Sequence, residues 1–212
     1  MPDLIAKLSS EIKSVKPLGK PIKMIIYLLS ALSVYGIIVE IIFGLRLDLA
    51  AQFLRPLFMT EIILILLLLI TSAVVAVLTM YPDSYQKSQL LKLPYIFFFL
   101  LLLVFAAQFF TSQDELMIIP KITSHTIECT ICIFVLSFIP SILMFSMLQK
   151  GATTIPLQTG LFTTLAASSL GYLILRFNEM NDSITHLVTW HYLPILFFAF
   201  IGSLLGKWLL KW

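Results

Sequence analysis

Six predominantly apolar stretches, each close to the length that carries a helix across a bilayer, occupy most of this chain. A spanning helix needs roughly 20 predominantly apolar residues. The stretches fall at about 23–44, 60–80, 93–110, 127–148, 155–175 and 191–209, and the second is the purest, with IILILLLLI near its head. Water cannot solvate such a pattern. Of 212 residues, 59% are hydrophobic and 12% charged, against about 25% charged in soluble domains. The expected fold is therefore an all-α integral membrane protein. A six-transmembrane-helix bundle, residues 23–212, follows a short cytoplasmic amphipathic arm, residues 1–22. Residues 1–23 lack the apolar core and cleavage site of a signal peptide. The loops are too short to fold alone as a catalytic unit, and no internal repeat of the transporter type is evident.

Loop charges give the expected direction. With the N-terminus inside, ten lysines (7, 13, 16, 20, 23, 87, 92, 150, 207 and 211) lie on the cytoplasmic side. Only Arg46, Arg55, Lys121 and Arg176 lie outside, which satisfies the positive-inside rule. Asp48, Glu61, Asp114, Glu115, Glu128, Glu179 and Asp182 fall on the outer side. An even number of spans returns the C-terminus to the cytoplasm. Residues 45–59 read as a small surface helix ended by Pro56.

In the arm, Leu4, Ile5, Leu8, Ile12 and Val15 share one helical face, while Lys7, Glu11, Lys13 and Ser14 point elsewhere. Asp3 is placed to cap the helix, and Pro17 and Pro21 end the pattern. Such a helix suits an anionic lipid surface and a protein groove about equally.

Cys129 and Cys132 lie three apart and so share a face near the outer end of the fourth span. Two buried small hydrophobes and a redox- or metal-responsive thiol pair are the two readings. Glu40, Glu61 and Glu128 cluster by depth near the outer face. They are expected to be interfacial or hydrogen-bonded to Thr and Ser, since no charge sits at the midplane of any span as a proton relay would need. His125, His186 and His191 belong to the same side. With the cysteines and acids they offer ligand types for a metal-sensitive surface, but scattered interfacial histidines are the commoner arrangement. No metal ligand set and no cofactor site is assigned.

Packing signals are concentrated in the last two spans. Gly202 and Gly206 form a G-x-x-x-G, and Gly160, Thr164, Ser168, Ala167 and Gly171 form small-x-x-x-small patterns. They predict close packing of spans five and six, with homodimerisation as the alternative. Pro140 and Pro194 are expected to kink spans four and six. No phosphate loop, catalytic triad spacing or zincin motif is present, and the basic residues are too dispersed to bind nucleic acid directly.

Several features in fixed order resemble the NrsF family of bacterial membrane proteins, negative regulators of sigma F. Leu4-Ile5-Ala6-Lys7-Leu8 and Val15-Lys16-Pro17-Leu18-Gly19-Lys20-Pro21 open the chain as that family's arm does. Cys129 precedes a span with Ser137 and Pro140, followed by Lys150-Gly151-Ala152. Asp182-Ser183, Trp190 and a terminal Gly202, Gly206, Lys207, Leu209, Leu210, Lys211, Trp212 complete the match. The resemblance implies a non-enzymatic anti-sigma factor of the bacterial inner membrane. Its arm, through Leu4, Ile5, Leu8, Ile12, Val15, Lys16, Pro17 and Leu18, would hold an extracytoplasmic-function sigma factor. Release would follow oxidative or heavy-metal stress sensed by cysteines at the outer face, here Cys129 and Cys132. The family pattern has a second cysteine just before the Asp-Ser element, but residues 178–183 contain none. Either Cys132 partners Cys129 or thiol sensing is absent.

Two other classes compete. A membrane thiol oxidoreductase would pass electrons from Cys129 and Cys132 to a quinone, but it lacks the second cysteine pair that a disulfide relay generally uses. A small transporter lacks midplane charges and repeats.

Overall fold

The computed structural model describes residues 18–111 and 124–211, without the side chains of 84, 85, 87, 111 and 124–126. The arm residues Leu4, Ile5, Leu8, Ile12, Val15, Lys16 and Pro17 lie outside the described residues. The structure is all-α, and six of its helices are long and apolar enough to cross a membrane. Their α-helical parts are α1 (Pro21–Phe43), α2 (Pro56–Leu78), α3 (Leu93–Thr111), α4 (Ser124–Leu148), α5 (Pro156–Asn178) and α6 (Leu193–Leu209), the third span starting earlier at Ser88 and the sixth at Ile184. A short turn of helix, Ile184–His186, and a π-helical turn, Leu187–Tyr192, lead into α6.

Proline begins α1, α2 and α5. At the first helical positions its missing N–H costs nothing, because no partner exists there anyway. Pro56 thus starts the second span, where the sequence pattern had it ending a surface helix. The 44–55 connection holds only the short helix Leu49–Gln52.

Helix α5 is the axis of the bundle. It packs most extensively on α6 and then on α2 and α4, while α3 packs chiefly on α2. Its span is 83% buried, against 17% for α1 and α3, although its hydropathy is the lowest of the six. This inversion follows from the solvent. Lipid tails are as apolar as leucine, so leucine gains little by turning inward, and small or hydroxyl residues mark the protein-facing surface. Thr163, Ser168 and Ser169 are fully buried. Each returns its hydroxyl proton to the carbonyl four residues back, Thr159, Thr164 and Leu165, at 2.7 Å. The outward faces of α1, α3 and α4 expose Ile37, Ile41, Phe99, Leu103, Val135 and Phe138, the exterior a bilayer requires.

Packing of α5 on α6 matches the small-residue signals. A Cβ on Gly160 would stand 2.7 Å from the Gly206 Cα, and one on Gly202 would stand 2.6 Å from the Thr164 Cβ. At Gly160 and Gly206 the backbones meet with no side chain between them, and at Gly202 only the Thr164 side chain intervenes.

Pro140, inside α4, and Pro194, second in α6, are each answered from outside. Pro140 lies within α4 and denies the Leu136 carbonyl its usual donor. The Tyr35 hydroxyl of α1 donates to that carbonyl at 2.8 Å. Pro194 does the same to the Trp190 carbonyl, and the Thr130 hydroxyl of α4 donates to it at 3.0 Å.

The two ends of the bundle differ. One carries Lys20, Lys23, Lys92, Lys150, Lys207 and Lys211, all exposed. There the Tyr81 hydroxyl donates to the Gly19 carbonyl, and Leu18 of the arm packs against the core. The other end gathers Arg46, Arg55, Arg176, Glu61, Glu179, Asp182, His186 and His191.

Candidate polar site at the acidic end

Two adjoining clusters form this end. In the first, Arg46 and Arg176 are 4% and 3% exposed, and Glu61 is 1% exposed. Burial on this scale demands partners. Arg176 Nε donates to Glu61 Oε1 at 2.9 Å and Nη1 to Asp182 Oδ1 at 2.6 Å. Its guanidinium also lies 4.7 Å from the Phe58 ring centre. Arg46 donates to Asp48 at 2.6 and 2.9 Å and to Asp182 at 3.0 Å through each terminal nitrogen. Gln52 bridges Asp48 and Asp182 at 2.8 and 2.9 Å. The Tyr172 hydroxyl completes the set by donating to Glu61. Glu61, expected to be interfacial or hydrogen-bonded to Thr and Ser, is instead buried and pairs with an arginine and a tyrosine, because α5 turns Tyr172 and Arg176 toward α2. Glu40 accepts from the Asn178 side chain at 3.0 Å. Glu128 is exposed.

Asp182 lies in the connection before α6. Burial pushes its carboxyl up, but hydrogen bonds from Arg46 and Arg176 outweigh this and hold it below the usual range. Asp48 is held well below that range, first by its hydrogen bond from Arg46 and then by Gln52.

The second cluster joins three segments. Cys129 comes from α4, Glu179 from the end of α5, and His186 and His191 from the lead-in to α6. The ligand atoms of these four side chains all lie within 4.8 Å of one another. His186 Nε2 is 2.8 Å from Glu179 Oε1, and His191 Nε2 is 2.8 Å from Oε2. The Cys129 thiol reaches Oε2 at 3.4 Å. His191 is fully buried and His186 is 7% exposed. Despite the short distances, neither Nε2 is directed so as to form a hydrogen bond, and His191 Nδ1 has no hydrogen-bond partner either. The contacts with Glu179 are therefore short polar approaches rather than well-aimed hydrogen bonds. Burial raises the Glu179 carboxyl, yet the two histidines together hold it well below the usual range.

The π turn makes this geometry. Residues five apart on an α-helix are separated by about 140° around the axis. In an i→i+5 turn they stand one above the other. Leu187–Tyr192 adopts that turn, so the His186 and His191 rings approach to 5.0 Å between centres. His191 then meets Tyr172 edge-on at 5.6 Å, which joins the two clusters.

The structure thus gathers residues that the sequence had left scattered. Of the two cysteines only Cys129 enters the group; Cys132 is half-buried beside it, and the two are not linked by a disulfide. The His125 side chain lies outside the described residues. Glu179 was readable only as an outer-side acid. The one local signal for the histidine pair is Pro194, which frees a carbonyl inside the same turn.

A bundle of six span-length helices, with polar groups gathered at one end and lysines at the other, is the build of a multi-pass membrane protein. The chain belongs to the NrsF family, "Negative regulator of sigma F", whose family model matches residues 8–212. No curated protein and no solved structure matches it.

Proposed function

We propose that this chain is a membrane-bound anti-sigma factor, and the family match across residues 8–212 is the observation that carries the reading. It resides in the bacterial inner membrane with the lysine-rich end in the cytoplasm, the side that the positive-inside rule favours. Its partner is an extracytoplasmic-function sigma factor. The apolar stripe Leu4, Ile5, Leu8, Ile12 and Val15, with Lys16 and Pro17 behind it, holds that partner away from RNA polymerase. The arm's root is anchored, since Leu18 packs on the bundle and Tyr81 binds the Gly19 carbonyl. The acidic end is the input. Oxidative or heavy-metal stress acts there, close to Cys129 and Cys132, and shifts the bundle between two arrangements that bind the sigma factor differently. The chain works by binding and catalyses nothing.

Deleting residues 2–16 tests the reading. A promoter served by the cognate sigma factor should become constitutively active while the truncated protein still inserts in the membrane. Flat promoter output from an inserted truncation would sink the proposal.

A further inference from the structure

We propose that Cys129, Glu179, His186 and His191 form a binding site for one divalent transition-metal cation of the zinc class. This deepens the input half of the proposed function by naming a ligand for it.

Three observations converge. The first is composition. Two imidazoles, a carboxylate and a thiolate are the donors zinc takes in tetrahedral sites. The second is distance. All four ligand atoms already lie within 4.8 Å of one another. Tetrahedral ligand atoms around zinc stand roughly 3.4–3.8 Å apart, given bonds of about 2.0–2.3 Å. Side-chain shifts of an ångström or so close the shell. The third is an unmet need. His191 is fully buried with no hydrogen-bond partner at either nitrogen, and the buried His186 Nε2 likewise has none. Buried polar atoms are nearly always satisfied. Their short approach to one carboxylate, without hydrogen-bond alignment, leaves lone pairs available for a central cation.

Charge balance supports the same assignment. On binding, the thiol proton leaves to solvent, as does a proton from any charged imidazole. Thiolate and carboxylate together then cancel the charge of the divalent ion, so a low-dielectric location carries no net penalty of sign. The site also explains the π turn, a feature frequently found at functional sites. An ordinary α-helical turn would send His186 and His191 to different faces.

The donors come from the start of α4, the end of α5 and the approach to α6. A cation here ties three helices at one point, and its release frees them. That is a two-arrangement element of the kind the proposed function needs.

The test uses the full-length protein purified in detergent and freed of metal, with Zn²⁺ and Co²⁺ as probes. Competition against a chromogenic chelator should give one Zn²⁺ per chain. Co²⁺ should give a tetrahedral visible spectrum with a thiolate charge-transfer band. Cys129→Ser should abolish that band, and Glu179→Gln and His186→Gln should each weaken Zn²⁺ binding at least tenfold. Cys132→Ser should bind like the parent chain. Absence of stoichiometric binding by the parent chain would overturn the site, whatever the variants do. So would a thiolate band that survives Cys129→Ser and disappears with Cys132→Ser. Binding is read on purified protein and repression on a promoter, so the site and the anti-sigma reading fail separately.

Discussion

Arg176 touches Glu61 on one side and Asp182 on the other, with Phe58 beneath it. Removing one member of such a set leaves the others charged and buried, at a cost of about 3–5 kcal/mol. Arg176→Met should lower the unfolding free energy in detergent by that order. Arg55→Met, whose guanidinium is exposed and 3.9 Å from Asp182, should change it by less than about 1 kcal/mol. Equal losses in the two variants would show that burial does not decide the matter. The acids add a pH dependence with a definite sign. Asp182 and Glu179 have depressed folded-state pKa values. Their stabilisation is present above the ordinary carboxylate range, about pH 4, and is lost as pH falls through the folded values. Melting temperature should therefore drop as pH falls below about 4. Asp182→Asn should be less stable at neutral pH and should show a shallower acid decline; an unchanged decline would remove Asp182 from the cause. At this scale the sequence was least legible. The depth of Glu61 and Arg176 could be read from their places in the spans, but their pairing crosses more than a hundred residues and leaves no periodic trace.

Among the elements, α5 was the clearest in one respect and the most deceptive in another. Gly160, Gly202 and Gly206 announced a close contact, and the contact is there. Yet α5, the least hydropathic span, is the central one, because burial in a bilayer sorts residues by fit and hydrogen bonding rather than by aversion to water. The proline positions show what sequence periodicity omits. A missing N–H predicts an orphaned carbonyl, but not that Tyr35 and Thr130 supply its donor. The register change to a π turn had no periodic signature either, so the sequence left the histidines scattered. Substitution tests the glycine contact directly. Gly202→Val should separate α5 from α6 and lower the melting temperature markedly, because its Cβ meets Thr164. Gly36→Ala, where the nearest atom is the Leu170 Cδ1 at 3.5 Å, should be close to neutral. Comparable damage from both would refute the contact.

For the whole molecule, the six apolar stretches were enough to define the architecture, and their lengths left few alternatives. Sidedness rests on the lysines and can be checked by chemistry. In a chain carrying Cys129→Ser and Cys132→Ser, Asn181→Cys should react with a membrane-impermeant maleimide from outside intact cells, while Gln149→Cys should react only after lysis. The reverse pattern would invert input and output. The polarity of the two ends also separates tasks. Residues near the proposed input contribute to ion pairs and the cation site, whereas the arm is rooted on Leu18, Gly19 and Tyr81 at the far end.

The backbone contact between α5 and α6 has a mechanical consequence. Helices separated by long side chains can slide past one another by changing rotamers. Here Gly160 faces Gly202 and Gly206 directly, and there is no compliant layer to absorb relative motion. The two helices are locked together by their glycines near the lysine-rich end, and at the other end Glu179 and the two histidines bring them together again at 2.8 Å. Parting Glu179 from the histidines would therefore pivot the helices about that glycine joint. A displacement of small size at one surface of the membrane thereby becomes a tilt at the other.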